Sequence, residues 1–248
     1  WAWNEKRINE IKKYINSLYV ILPFEKEFFE SKHNYPVKFL GHPLADSIYN
    51  FKTNNISSNK LITTDKKPII AILPGSRKQE IKKILNTVIE TVECFKEYQF
   101  IVAGAPNIEL SYYTSIIKNK KIKVIENKTY ELLSVSYAAI VTSGTATLET
   151  ALFKVPQVVC YKSSYFSFVI AKLIVNIKYI SLVNLIMDQE IVKELIQQDC
   201  NKNKITKELK KILDLNHRKS LKVKYDELTS ILGNFGTSKR VALDIITK

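Results

Sequence analysis

The sequence of 248 residues is poor in glycine, proline and cysteine, and each scarcity narrows what the protein can be. Six glycines and seven prolines leave little room for disordered linkers. The three cysteines are widely spaced and have no metal-ligand spacing with the histidines, so no metal site is expected. Widely spaced cysteines also lead us to expect a cytosolic protein. Cys94 falls in a helical pattern and Cys160 in a strand pattern, so both are predicted to be reduced core thiols.

The sequence also lacks a long, uninterrupted apolar run. Its most apolar stretch, residues 165–187, contains Lys172, Asn176 and Lys178, which argue against a membrane-spanning helix. No signal peptide is recognised. The chain begins with Trp1 instead of Met, and a polar helical pattern follows at once, so we expect a C-terminal piece of a longer protein.

The sequence has an excess of positive charge. A formal net charge of +14 predicts an anionic partner, which could be a nucleotide, a nucleic acid or an acidic membrane surface. Biased base composition explains the charge equally well, because the chain is also rich in Lys, Asn and Ile. A nucleic-acid binder needs basic residues clustered on one face among stacking aromatics. Here lysines are spread along nearly every helical segment, so no specific nucleic acid is expected.

From Pro68 onward, apolar strands alternate with helical patterns, and the apolar fraction of 46% suits a buried core. Strands that are apolar throughout predict a parallel sheet covered on both faces, and right-handed crossovers then give a doubly wound α/β domain. The predicted strands are Ile69–Leu73, Gln99–Ala103, Ile122–Ile125, Ala139–Val141, Gln157–Tyr161 and Ile180–Val183. The predicted helices are Ile81–Val92, Ile108–Lys118, Tyr130–Ser136, Thr145–Phe153, Tyr165–Asn176 and Glu190–Gln197.

Less regular segments flank this region. The earlier segment predicts a helix at Glu5–Asn16, a strand at Leu18–Leu22, a helix at Phe24–Ser31 and a strand at Val37–Leu40. The polar stretch Asn50–Asp65 is the best linker candidate. From Ile205 onward the chain is all helical, and Ser238 is predicted to cap the last helix.

Two turns of small residues each follow an apolar strand and precede a helix. Such turns aim backbone N–H groups and a helix N-terminus at an anion. Because the carboxyl ends of parallel strands meet at one edge of a sheet, we predict a site there for a phosphate-bearing ligand. The residues of these turns are Gly75, Ser76 and Arg77 in the first, and Ser143, Gly144 and Thr145 in the second.

Several side chains near these turns allow two interpretations. Arg77 can bind a diphosphate with two parallel hydrogen bonds, or it can be a surface residue at a helix start, where the helix dipole disfavours a cation. The hydroxyl of Ser143 or Thr145 can cap the helix or donate to a phosphate oxygen. Glu149 can interact with the helix dipole or accept hydrogen bonds from a ribose diol. Neither turn is a Walker loop or a dinucleotide fingerprint. His42 can be a base or a sugar donor, but we favour a turn residue that seats a hinge.

The apolar helix predicted near Tyr165–Lys178 suits an interfacial membrane contact. Phe166, Phe168 and Leu173 lie near basic residues in it, although Lys172 and Lys178 singly are better explained as solvated.

Seven motifs in order make the chain resemble the lipid-A-disaccharide synthase family, and the resemblance covers almost the whole chain. They are Trp1–Trp3, Leu22–Glu25, Gly41–Asp46, Leu73–Arg77, Thr142–Glu149, Val183–Ile186 and Glu194–Gln197. The resemblance implies an inverting glycosyltransferase of GT-B architecture, which has two Rossmann-like domains. It implies transfer of 2,3-diacylglucosamine from UDP to 2,3-diacylglucosamine 1-phosphate, which yields lipid A disaccharide 1-phosphate and UDP in a Gram-negative bacterium.

The resemblance also implies how the site works. No metal or other cofactor is expected, because helix N-termini and Arg77 stabilise the leaving diphosphate. The implied substrate-binding residues are Gly75, Ser76, Arg77, Ser143, Gly144, Thr145, Ala146, Glu149, Tyr161 and Asn184. Val183 stands where the family has Pro, which bears on how that loop is held. The family's general base is expected in a preceding N-terminal stretch, so this chain alone is expected to bind UDP and turn over poorly.

The implied domains are a remainder of the acceptor domain with a linker (1–60), a UDP-sugar-binding domain (61–200) and helices that pack back toward the acceptor domain (201–248). The lipid substrates imply a peripheral position on the inner face of the cytoplasmic membrane, and a homodimer stays open. The alternatives are a UDP-N-acetylglucosamine epimerase, the peptidoglycan glucosaminyltransferase, or an inactive UDP-binding fragment. The peptidoglycan enzyme is expected to have a Gly-Gly-Ser-Gln-type first loop, whereas residues 74–77 are Pro-Gly-Ser-Arg.

Overall fold

A computed structural model describes residues 4–54, 65–118, 122–162 and 178–247. The strands are β1 (Tyr19–Val20), β2 (Lys38–Phe39), β3 (Ile69–Leu73), β4 (Gln99–Gly104), β5 (Ile122–Glu126), β6 (Ser136–Thr142), β7 (Gln157–Tyr161) and β8 (Lys193–Ile196). The helices before the middle of the chain are α1 (Arg7–Tyr14), α2 (Pro23–Glu27, followed by a π-helical turn at Phe28–Lys32), α3 (Pro43–Asn54), α4 (Lys78–Val92) and α5 (Leu110–Ile116). The later ones are α6 (Thr129–Val135), α7 (Thr145–Leu152), α8 (Leu182–Met187), α9 (Lys202–Leu213), α10 (Leu215–Leu232) and α11 (Thr237–Ile246).

Six of the strands form one parallel sheet in the order β5-β4-β3-β6-β7-β8. The chain builds outward from β3 to β5, returns to the centre at β6 and builds outward again in the other direction. The doubly wound α/β fold predicted from the sequence is therefore confirmed, and the winding reverses between β3 and β6.

Alternate residues of β3 face opposite layers, as the pleat of a strand requires. Ile70 and Ile72 are fully buried in a cluster with α4 and α9. Ala71 and Leu73 face the cluster that contains α6. Burial of each large apolar side chain stabilises the fold by about 1.5–3 kcal/mol, and helices cover both faces of the sheet because each face of its strands is apolar.

The first part of the chain has its own small core. Strands β1 and β2 pair in parallel, and their cluster contains Ile8, Val20, Phe29 and Val37. Helix α3 does not contribute to this small core. Its Ile48 packs instead into a cluster with α7 and α10.

The linker prediction is wrong for residues 50–54, which belong to α3. That stretch is polar in composition, but it contains Phe51, which attaches the end of the helix to the rest of the protein. Phe51 packs edge-on against Tyr130 and Phe153 of the sheet domain, which extends the helix beyond its buried Ile48. Residues 55–64 of the predicted linker lie outside the described residues, whereas its last residue, Asp65, is described.

The predicted strand Ile180–Val183 and the predicted helix Glu190–Gln197 are both wrong. Ser181 accepts a hydrogen bond from the Asn184 N–H group and starts α8, whereas residues 193–196 form β8 beside β7. Short apolar runs fit either structure by periodicity alone. Residues 193–196 form a strand instead of a helix because β7 offers them a sheet edge with which to pair.

The predicted cap at Ser238 is also wrong. The carboxylate of Asp46, on α3, accepts hydrogen bonds from the N–H groups of Gly236 (2.7 Å), Thr237 (3.1 Å) and Ser238 (2.8 Å). This cap joins α11 to α3. Nearby, Lys38 Nζ pairs with Asp244 at 2.6 Å.

Cys94 is exposed, because it lies just beyond the end of α4, so its assignment to the core is wrong; Cys160 is buried as predicted. The predicted helix Tyr165–Asn176, with its proposed membrane contact, lies outside the described residues. No helix within the described ranges is long and apolar enough to cross a bilayer.

Candidate functional site

A cleft of about 440 Å³ opens at the carboxyl ends of β3, β4 and β6, where the winding of the sheet reverses. Ligands of open α/β sheets bind at such reversal points. The cleft brings together residues from both predicted turns, which are Gly75, Ser76, Arg77, Ser143, Gly144, Thr145, Ala146 and Glu149.

The first turn depends on a glycine. Gly75 has a φ of +99°, and a Cβ there would lie 3.1 Å from Glu80 Oε2 and 3.4 Å from Thr142 Cγ2. A larger residue would therefore be strained and crowded. The turn leads into α4, whose N-terminus has no side-chain cap.

Arg77 stands at the start of α4, and four-fifths of its side chain is exposed. Its Nη1 lies 2.7 Å from Glu80 Oε1, and this hydrogen bond and the charge of Glu80 raise the pKa of Arg77. An exposed ion pair of this kind is worth only about 0–1 kcal/mol. The guanidinium is therefore charged, and little free energy keeps it from moving toward a ligand.

The second turn leaves its backbone open to the cleft. Gly144 has a φ of +148°, and a Cβ there would meet nothing within 4 Å. Among the residues that the structure describes, no side chain caps α7, and the Ser143 hydroxyl donates to the Ile180 carbonyl at 2.7 Å instead. Thr145 is exposed at the first position of the helix. Neither of the two predicted capping hydroxyls acts as a cap, so the positive end of the α7 dipole faces the cleft without a side-chain acceptor.

Glu149 lines the cleft from α7, and Tyr130 supports it from α6. The Tyr130 hydroxyl donates to Glu149 Oε1 at 2.8 Å. Burial, and next the Glu149 charge, raise the pKa of Tyr130, so this hydroxyl stays protonated.

The structure does not bring Asn184 into the cleft. Asn184 is fully buried, and its Oδ1 accepts hydrogen bonds from the N–H groups of Ile191 and Val192. Its Nδ2 donates to the Val192 carbonyl and to Glu194 Oε1. Asn184 therefore organises the segment that joins α8 to β8.

Tyr161 ends β7 and is half-buried beside the cleft without lining it. Its proximity to Arg77 adds a small contribution to the raised pKa of the guanidinium.

His42 is buried in the turn before α3. Its Nδ1 accepts a hydrogen bond from the Leu44 N–H group at 3.1 Å, and the backbone N–H group of His42 donates to the Leu232 carbonyl. Burial lowers the pKa of His42 more than the Glu25 charge raises it, so the ring is neutral. These contacts fit the turn residue that we favoured from the sequence.

Sequence reasoning missed other residues of the cleft. Thr142 ends β6 and lines the cleft, and within the part of the chain that the structure describes its Oγ1 is buried without a hydrogen-bond partner. Thr142 could have been predicted as a cleft residue because it directly precedes the second turn in the sequence. Glu80 could have been found from its spacing of three residues from Arg77. Among the described residues, no group of His, Cys, Asp and Glu could hold a metal ion.

The strand order and the cleft at its reversal point define a doubly wound α/β protein whose glycine turns suit an anionic ligand. A family model described as lipid-A-disaccharide synthetase matches residues 1–243. The chain belongs to this family.

Relatives agree with this assignment, and a solved structure shares the fold. The chain is 35% identical to the lipid-A-disaccharide synthase of Coxiella burnetii (strain Dugway 5J108-111), over 98% of this chain and 65% of that protein. It is 34% identical to the enzyme of the same name from Persephonella marina, over 98% of this chain and 67% of that protein. The chain thus spans about two thirds of the length of these relatives. The S. aureus MnaA–UDP co-structure shares the fold, with a TM-score of 0.65 at 16% identity, over 94% of this chain and 62% of that chain.

Proposed function

We propose that the chain carries the UDP-binding part of a glycosyltransferase of lipid A synthesis. The proposed reaction moves 2,3-diacylglucosamine from UDP to 2,3-diacylglucosamine 1-phosphate, and it yields lipid A disaccharide 1-phosphate and UDP. One observation carries the proposal. The Arg77 turn and the open N-terminus of α7 converge on one cleft at the reversal point of the sheet.

The chemistry follows from where negative charge develops. The acceptor hydroxyl attacks the anomeric carbon of the donor while the bond from that carbon to the diphosphate oxygen breaks, and the hydroxyl proton passes to a base. Charge accumulates on the departing diphosphate. The N–H groups at the start of α7 and the guanidinium of Arg77 would stabilise that charge, and they need little rearrangement to do so. Glu149 would accept hydrogen bonds from the ribose.

Titration calorimetry with UDP tests the nucleotide site. We expect UDP to bind, and Arg77→Ala to weaken binding by about 1.5–3 kcal/mol, which is roughly a 10- to 150-fold loss. Uridine has no phosphate, so the same substitution should leave its binding unchanged. Arg7→Ala, which removes an equal charge from α1, serves as the matched control. A chain that does not bind UDP, or an Arg77→Ala variant that binds it normally, would contradict the proposal.

Product analysis tests the reaction. With both acylated substrates, UDP and a disaccharide should form in equal amounts, and slowly, because this chain alone is expected to turn over poorly. Conversion of UDP-N-acetylglucosamine without an acylated acceptor would instead identify an epimerase.

We also propose that the protein works peripherally at the inner face of the cytoplasmic membrane, because both substrates carry acyl chains. The net charge of +14 supports attraction to anionic lipids. Sedimentation with vesicles should therefore recover more protein with anionic than with zwitterionic lipid, and added salt should reduce the difference. Equal recovery with both vesicles would contradict this.

A further inference from the structure

The hydrogen bond between Tyr130 and Glu149 joins the cleft to the apolar interior. Glu149 lines the cleft, whereas Tyr130 packs against the apolar cluster shared by α3, α7 and α10. The two side chains come from successive helices, and the O···O distance is 2.8 Å. Tyr130 therefore contacts the carboxylate from the interior side.

Aromatic neighbours fix the position of the Tyr130 ring. Phe51 meets it edge-on, with centroids 5.5 Å apart and an interplanar angle of 82°. Phe153 packs against it at 5.3 Å, and Phe51 also meets Phe153 at 5.7 Å. Three mutually packed rings leave Tyr130 few rotamers, so its hydroxyl has a defined location.

A fixed donor restricts how a carboxylate can turn. A free glutamate side chain samples many rotamers, and binding a ligand through it then loses that freedom. When one oxygen is already hydrogen-bonded to a rigid partner, the orientation of the whole carboxyl group is largely set before the ligand arrives.

We propose that Tyr130 is a positioning residue for ribose recognition: it holds the Glu149 carboxylate in the orientation that accepts the ribose hydroxyls of the nucleotide. This inference rests on the proposed function, because it requires a nucleotide in the cleft. It adds that α3 takes part in nucleotide binding through Phe51, although α3 precedes the sheet domain in the chain.

The test compares two ligands on matched variants. Tyr130→Phe keeps the ring and its aromatic contacts and removes only the hydroxyl. We expect it to weaken UDP binding by about three- to tenfold, because the released carboxylate must then lose its rotamer freedom when the ribose binds. Binding of 2′,3′-dideoxy-UDP, which lacks the diol, should change by less than about twofold, within the scatter of surface-type effects. Tyr35→Phe removes a hydroxyl that donates to the Ile15 carbonyl in the first part of the chain, and it should change neither affinity.

A second measurement separates positioning from a purely structural role. In Glu149→Ala, which removes the acceptor oxygens, the added Tyr130→Phe substitution should cause no further loss of UDP affinity, because its effect passes through the Glu149 side chain. An equal loss for both ligands, a further loss in the double variant, or unchanged UDP affinity in Tyr130→Phe would each overturn the inference. The wild-type titrations are evaluated first. Absence of UDP binding there would contradict the proposed function itself, whereas UDP binding with any of those variant results would contradict only the role of Tyr130.

Discussion

Glu80 Oε1 lies 2.7 Å from Arg77 Nη1 at the mouth of the cleft. The other oxygen of Glu80 lies 3.1 Å from the point where a Cβ on Gly75 would be. Negative charge therefore already sits beside the turn that is proposed to hold a diphosphate. A bound diphosphate must compete with Glu80 for Arg77.

Removal of that charge should strengthen nucleotide binding. We expect Glu80→Gln to increase UDP affinity by about two- to fivefold, since an exposed ion pair contributes less than about 1 kcal/mol. Uridine affinity should not change. Glu90→Gln removes the same charge from the far end of α4 and is the control for net charge. Weaker UDP binding in Glu80→Gln would show instead that Glu80 presents Arg77 to the ligand.

The cap at Asp46 predicts a dependence of stability on pH. Burial by itself would raise the pKa of Asp46, but hydrogen bonds from the N–H group and hydroxyl of Ser238 and from the N–H groups of Gly236 and Thr237 outweigh it, so the pKa is lowered. The stabilisation is therefore complete above the unfolded-state pKa of about 3.9 and is lost as the pH falls through the lower folded-state value. Asp46→Asn should lower the free energy of unfolding by about 1–2 kcal/mol at pH 7, because hydrogen bonds to a charged acceptor are stronger than those to a neutral one.

Urea unfolding at several pH values checks this prediction. The difference between Asp46→Asn and the wild type should shrink as the pH falls below about 4, because the protonated wild-type side chain then resembles Asn. Asp199→Asn, which removes an exposed carboxylate paired with Lys204, should have a small effect throughout. A difference that is constant with pH would contradict the assigned role of the carboxylate.

Glu194 connects the segment before α8 to β8. Its carboxylate accepts hydrogen bonds from the N–H groups of Ile180 and Ser181, the Ser181 hydroxyl and Asn184 Nδ2, all between 2.8 and 2.9 Å. Glu194→Ala leaves these donors without their acceptor and should lower the free energy of unfolding by about 3 kcal/mol. The measurement is again urea unfolding.

The matched control lies four residues earlier. Glu190→Ala breaks an exposed pair with Lys193 and should cost about 0.5 kcal/mol or less. Equal effects of the two substitutions would argue against the Glu194 network.

The cysteines should differ sharply in reactivity. Cys94 is exposed, whereas Cys160 and Cys200 are fully buried. A thiol reagent such as dithiobisnitrobenzoate should therefore modify about one thiol per chain quickly, because thiolate access controls the reaction. The other two should react only after denaturation. Rapid reaction of all three in native buffer would contradict the buried positions.

The central sheet was predictable because each of its strands has a recognisable local sequence pattern. β3 and β7 have the predicted bounds, since each is a short apolar run between turn residues. The convergence of the Arg77 and Gly144 turns followed from the rule that carboxyl ends of parallel strands share an edge. No long-range knowledge was needed for either inference.

The misassigned features depend on contacts between distant residues. Residues 193–196 are a strand because β7 offers them an edge, which local periodicity does not reveal. Asn184 stays a predicted substrate-binding residue, but the sequence did not reveal that it is buried and that its amide bonds the chain from Ile191 to Glu194. The cap of α11 is supplied from α3, so no inspection of the sequence near Ser238 could identify it.

The Asp46 cap joins residues 191 positions apart in the chain, and it has a consequence for biogenesis. During translation, α3 emerges long before α11, and the hydrogen bonds between them cannot form until the ribosome has synthesised the chain through Ser238. The sheet can assemble earlier from neighbouring strands, whose contacts are closer in sequence. Attachment of α11 to α3 is therefore a late event, and a nascent chain halted before Gly236 would leave Asp46 without the amides that it caps.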